Sequence, residues 1–193
     1  SLYRILIYLP VVVTPTIIGH VFSRFFEANY GMLNTFLRSV GLSGLTRTLL
    51  ADPSLALGCL IFVNIWQWTG YSMLLYYASM LSISEDLYEA ASIDGATKWQ
   101  QFKSITFPML TPSHFFVFMM LTINSFKTFD LIFALTEGGP GTSTTLLSMY
   151  IYNQSFISWN YGGASAAAII LFLIVGSITL IQFRAEKKFN DFM

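Results

Sequence analysis

Apolar residues gather in four runs, each near the roughly 20 helical residues that cross about 30 Å of hydrocarbon. They cover about 4–26, 54–80, 112–135 and 162–184, and each is predicted to be a membrane-spanning helix. The first run holds Pro10 and Pro15, which kink soluble helices but are tolerated in membrane bundles. The third opens on Thr111-Pro112, a capping residue followed by proline at the first helical position. In the fourth, Gly162/Ala166 and Gly163/Ala167 form small-xxx-small pairs, which predicts tight packing of that end on a neighbouring helix.

The connections differ in character. Residues 27–53 place Leu33, Phe36, Leu37 and Val40 at i, i+3, i+4 and i+7, closed by Gly41. That spacing predicts a short amphipathic helix along a membrane surface. Residues 136–161 open on the turn residues Gly138, Gly139, Pro140 and Gly141 and end at Trp159 and Tyr161, aromatics suited to an interfacial belt. Residues 81–111 carry four acids and two lysines on two predicted short helices.

Composition supports a membrane location. Hydrophobic residues make up 54% of the 193 and charged residues 10%, against about 25% charged in soluble domains. Zero net charge and the lack of a basic block exclude a nucleic-acid partner. One cysteine, Cys59, and two distant histidines, His20 and His114, build neither a zinc site nor a disulfide framework. No P-loop occurs, so ATP is not expected to bind this chain, and no cofactor is expected. The chain opens on Ser1-Leu2-Tyr3-Arg4 and is apolar at once, which reads as the C-terminal part of a longer protein whose earlier spans are missing.

Charge sets the expected orientation. Arg4, Lys98, Lys103, Arg184, Lys187 and Lys188 fall on one side, and Arg24, Arg38 and Arg47 on the other. The positive-inside rule places loop 82–108 and the C-terminus in the cytoplasm. Within that loop Ser82 and Glu85 fit a capping box, with Glu85, Asp86 and Glu89 near the positive helix end. Ala90 and Ala91 allow close approach of another backbone, and Gly95 is placed to end the helix in the left-handed region. A second helix is predicted over about 97–106, with Trp99 and Phe102 on one face, stopped by Pro108. An ordinary capped surface loop has the same features.

The residue string goes further. Glu89-Ala90-Ala91-x3-Gly95-x9-Ile105-x-Phe107-Pro108 resembles the EAA signature of permease subunits of binding-protein-dependent ABC importers, E-A-A-x3-G-x9-I-x-L-P, with Phe107 the one departure. Leu87–Ala96, Phe107–Pro112, Tyr30-Gly31-Met32-Leu33-Asn34 and Thr136-Glu137-Gly138-Gly139-Pro140 resemble the sugar branch, and the Tyr-Gly-x-Leu-Asn string resembles the first permease of maltose-type and glycerol-3-phosphate-type systems. The resemblance implies an all-α, polytopic type I permease core, one transmembrane permease domain over 1–193, lacking two of about six spans. It also implies that Glu89, Ala90, Ala91, Asp94, Gly95, Ile105 and Pro108 dock on a cytoplasmic ATPase dimer that hydrolyses the ATP. A second homologous permease, an extracellular solute-binding protein and membrane lipid are the other implied partners.

Polar residues within spans are candidates for a sugar pathway, because they are expensive in lipid and face a wet interior. Asn64, Gln67, Trp68 and Tyr71 on the second span and Asn124 on the third combine amides with aromatic faces, a combination suited to sugars. Packing and helix bridging are the competing roles. Lys127 and Asp130 are spaced to pair at i, i+3. His20, His114 and Cys59 show no chemical partners and receive no function. No acid–base or nucleophile cluster lies in the spans, so an enzyme is not expected. The alternatives are a permease for glycerol-3-phosphate or a related polyol phosphate, an ion-coupled secondary transporter, and a membrane enzyme acting on lipid-linked sugars.

Overall fold

The structure, a computed structural model, describes residues 2–190, with side chains to Lys187. Ser1 and the Lys188 side chain, both used in the sequence argument, lie outside the described residues. Helices carry the whole architecture: α1 (Leu2–Val12), α2 (Pro15–Phe25), α3 (Met32–Ser39), α4 (Pro53–Met80), α5 (Glu85–Ile93), α6 (Lys98–Gln101), α7 (Phe107–Met109), α8 (Thr111–Lys127), α9 (Asp130–Leu135), α10 (Leu147–Tyr152) and α11 (Tyr161–Asn190). No strand occurs among the described residues.

Among the described residues one helix is long and apolar enough to cross a membrane, or up to three spans if each bent pair, Leu2–Val12 with Pro15–Phe25 and Lys98–Met109 with Thr111–Lys127, counts as one. That helix is Tyr161–Lys187, and Ile169, Phe172 and Leu173 are left exposed on it. The first predicted span is broken instead. α1 and α2 meet at 97°, with Pro15 in the first turn of α2, where its missing N–H is harmless. Pro10 lies buried inside α1 without ending it.

The third predicted span also breaks. α8 begins at Thr111, one residue earlier than expected, and stops at Lys127; α9 restarts at Asp130. Lys127 and Asp130 therefore sit on different helices, both exposed, and make no ion pair among the described residues. The second predicted span, α4, has 28 residues, about 42 Å at 1.5 Å per residue. It is long enough, but Asn64, Gln67 and its tryptophans and tyrosines lower its hydropathy below that of a lipid-only helix.

Two compact parts divide the chain. The first runs to Gly70 and includes Ser125–Leu173; the second comprises Tyr71–Asn124 and the stretch from Ile174. In the first, Ile18 and Phe26, Leu60 and Val63 of α4, Leu131, Ile132 and Leu135 of α9, and Met149 form one buried cluster. In lipid such contacts are held by close packing more than by exclusion of water. Close approach is visible at Gly19, where a Cβ would lie 2.6 Å from the Ala134 Cβ.

Of the small residues that start α11, one of the two predicted pairs is partly enclosed, through Ala167. Ala164 and Ala167 are buried, Gly162 and Ala166 are exposed, and Gly163 faces Asn160, whose Oδ1 accepts its amide at 3.0 Å.

The Tyr30–Asn34 string folds as the entry to α3. Asn34 is buried and its Nδ2 donates to the Ala28 and Arg47 carbonyls at 3.0 and 2.9 Å, tying together the stretches before and after α3. Gly41 closes this segment at φ 79°. Asp52 precedes α4 and accepts from the Ser54 hydroxyl and amide, and those bonds hold its carboxyl below the usual carboxylate value. In the Thr136–Thr145 loop, fully buried Thr144 donates to the Gly139 carbonyl at 2.7 Å and meets Thr136 Oγ1 at 2.7 Å.

At Gly70 a Cβ would meet the Ile7 carbonyl and lie 2.8 Å from the Tyr8 Cα, both backbone. Backbone gives way poorly, so Gly70→Ala is expected to destabilise the protein by about 1–3 kcal/mol. The melting midpoint of the purified full-length protein in detergent should fall, and an unchanged midpoint would show that α1 does not pack on α4 here.

Candidate coupling hairpin and polar pathway

The loop over 82–108 folds as a braced helical hairpin. Its first helix, α5, is capped by Ser84, whose Oγ accepts the Asp86 amide at 3.3 Å. Ser82, the predicted cap, is instead tied to the end of α4, donating to the Ser79 carbonyl. Asp94 ends the helix, and Gly95 follows at φ 78°. The Gly95 amide bonds the Ser92 carbonyl and the Ala96 amide bonds the Ala91 carbonyl, which is a Schellman termination. Nothing lies within 4 Å of a Cβ at Gly95, so the need for glycine there is conformational.

Thr97 and Gln100 then form a reciprocal capping box that starts α6. This Thr-x-x-Gln signature is legible in the sequence, and sequence reading passed over it. Pro108 does not stop the second helix. A π turn at Phe102–Thr106 joins α6 to α7, and the wider turn moves the preceding carbonyls out of the path of the proline ring. The helix ends at Leu110, where it bends by 63° into α8.

Three partly buried hydrogen bonds lock the two arms. Tyr88 Oη and Thr106 Oγ1 are 2.9 Å apart, and Gln101 Nε2 donates to Ser92 Oγ at 2.8 Å and to the Tyr88 carbonyl at 3.4 Å. Gln101 and Thr106 are buried. Braced from within, the hairpin presents Glu89, Ala90, Asp94 and Gly95 on its exposed surface, with Ala91, Ile105 and Pro108 half-buried. Ile93 is 87% exposed and Trp99 71%, an apolar surface of the kind that marks a partner contact.

The five polar pathway candidates separate. Asn64 is half-buried, has no hydrogen-bond partner among the described residues, and lines a cavity of about 460 Å³ with Thr128, Ser125 and otherwise apolar walls. Gln67 is fully buried and donates from Nε2 to the Val13 carbonyl at 3.1 Å. That carbonyl is freed by the α1–α2 break, so Gln67 bridges helices. Trp68 is half-buried in the first part of the chain; Tyr71 and Asn124, also half-buried, belong to the second. His114 does have a partner: its Nδ1 lies 3.0 Å from Tyr76 Oη. The two are 38 residues apart, beyond the reach of local pattern reading.

Substituting these two amides separates their roles. Gln67→Leu leaves the Val13 carbonyl without its donor, which costs about 1–3 kcal/mol, and should lower the melting midpoint of the full-length protein. Asn64→Leu breaks no hydrogen bond and should leave the midpoint within error. Equal midpoints for both variants would overturn the division.

The family model described as "Binding-protein-dependent transport system inner membrane component" matches residues 1–190. The chain is 38% identical over 185 residues to the probable ABC transporter permease protein YurN of Bacillus subtilis, covering 96% of this chain and 63% of that protein. It is 37% identical over 190 residues to the multiple sugar-binding transport system permease protein MsmF of Streptococcus mutans, covering 98% and 64%. In the crystal structure of a bacterial alginate ABC transporter in complex with an alginate pentasaccharide-bound periplasmic protein, one chain matches at TM-score 0.88 and 27% identity, over 97% of this chain and 65% of that one. The chain thus spans less than two thirds of the relatives it matches. With the EAA spacing folded into a braced hairpin and the match running the length of the chain, this membrane protein belongs to the inner membrane component family of binding-protein-dependent transport systems.

Proposed function

We propose that this chain is the transmembrane core of an ATP-driven importer of a sugar or oligosaccharide. The hairpin carries the reading: an internally bonded unit whose apolar residues, Ile93 and Trp99, point outward. A surface loop with no partner has no reason to spend burial on its bracing and leave those side chains in water. The hairpin docks on one subunit of a cytoplasmic ATPase dimer, which binds and hydrolyses the ATP. Orientation follows the lysines of the hairpin, Lys98 and Lys103, and of the α11 end, so the hairpin and C-terminus face the cytoplasm. A second permease completes the pathway, and an extracellular binding protein delivers the sugar.

Sugar is favoured by the sugar-binding transport relative and by Asn64, an unpaired amide in an apolar cavity. Against a phosphate substrate, Arg24 shares its cavity with Glu27, so the cation there is offset. Ion coupling requires intramembrane acids, and Asp130 is exposed at the start of α9.

Affinity purification of the full-length protein in mild detergent should recover an ATPase, a second permease and a solute receptor. Proteoliposomes holding that complex should take up a neutral oligosaccharide on ATP addition and continue when ion gradients are collapsed. Recovery of the chain alone, or uptake that stops with the gradient, would remove the importer reading. Gly95→Asp, strained at φ 78°, should reduce ATP-driven uptake at least about tenfold at equal membrane abundance, equivalent to about 1.4 kcal/mol. Wild-type uptake by that variant would show that the Gly95 turn is not needed for coupling.

A further inference from the structure

Five rings run in unbroken succession from the exposed face of the hairpin to the large helix α4. Trp99 stacks on Phe102 with centroids 5.6 Å apart and planes at 25°. Phe102 meets Phe107 at 6.4 Å, Phe107 meets His114 at 4.8 Å, and His114 meets Tyr76 at 5.2 Å. The last step is fixed by the 3.0 Å hydrogen bond between His114 Nδ1 and Tyr76 Oη. Trp99 is 71% exposed, whereas His114 is half-buried and its Nε2 is shut away from solvent without a partner.

The path crosses the two places where the second arm can change shape. The π turn at Phe102–Thr106 lies between Trp99 and Phe107, and π turns are irregularities that recur at functional sites. The 63° bend between the Lys98–Met109 arm and α8 separates Phe107 from His114. His114 therefore touches a ring on the near side of the bend and a hydroxyl on α4, which also carries Asn64.

We infer that His114 is a positioning residue for coupling: through its contacts with Phe107 and Tyr76 it makes the hairpin arm and the adjoining turns of α4 move as one piece. The inference rests on the importer reading. A coupling path needs an element with two arrangements that both ends bias, and the bend at Leu110 is that element here. Phe107 stands where the family pattern has leucine, so its ring contact with His114 is a feature of this chain. Phe107→Leu is accordingly a variant that keeps an apolar residue compatible with the motif. Tyr76→Phe removes the hydroxyl and keeps the ring.

The test uses the full-length permease in its assembled complex, with Ser104→Cys and Leu74→Cys as sites for nitroxide labels and the other cysteines replaced. Both positions are exposed. Distances are measured by pulsed electron paramagnetic resonance, without nucleotide and after trapping with MgATP and vanadate. With Phe107, His114 and Tyr76 intact, the distance should be the same in both states. Phe107→Leu or Tyr76→Phe should shift or broaden it on trapping by more than about 2 Å, the scale of helix shifts at moving interfaces.

A distance that already changes with the native rings, or variants that keep the unchanged distance, would overturn the inference while trapping itself still upheld the importer. A complex that traps no nucleotide would remove both. Should Tyr76→Phe fail to assemble, Phe107→Leu tests the same contact from the other side of His114.

Discussion

A backbone carbonyl or amide freed inside a span must find a partner in the protein, because lipid offers none. The architecture of this chain follows from how it meets that demand. α1 and α2 part at Val13 and Thr14, and Gln67, fully buried on α4, donates to the Val13 carbonyl. α8 and α9 part at Thr128 and Phe129, and the Ser148 hydroxyl donates to the Thr128 carbonyl. In the Thr136–Thr145 loop, the Thr144 and Thr145 hydroxyls donate to the Gly139 and Gly138 carbonyls. At the two helix breaks the matching side chain comes from a distant part of the sequence, and in the loop it comes from within the loop itself.

This explains which parts were legible in the sequence. Long helices, the amphipathic α3, the Gly95 turn and the Trp99–Phe102 face were all readable, because each depends on residues within about a turn of one another. The breaks were not. Pro10 and Pro108 sit inside helical segments, whereas Pro15 and Pro112 begin helices after a bend. A proline marks where a helix is permitted to break; whether it does depends on a donor such as Gln67, 54 residues away from Val13. For Gln67 the sequence leaves pathway and bridging roles open; in the structure its Nε2 bridges to the Val13 carbonyl while its Oε1 is buried without a partner.

The hairpin shows the opposite balance. Its polar groups are satisfied internally by Tyr88, Ser92, Gln101 and Thr106, so its shape does not wait on a partner. Its apolar residues, Ile93 and Trp99, are left outside. Preorganised bracing with an unsatisfied apolar surface lowers the ordering cost of docking.

On the importer reading proposed above, displacement of the hairpin has to be carried into the membrane through a helix that is irregular at two places. The π turn and the bend at Leu110 lie in series between the exposed surface and α8. A helix with two such joints absorbs displacement unless side chains bridge them. Trp99 and Phe102 pack before the first joint, Phe107 follows it, and His114 with Tyr76 spans the second. On the importer reading proposed above, the EAA spacing marks where the partner docks, and the rings between Trp99 and Tyr76 carry its motion to the adjoining turns of α4.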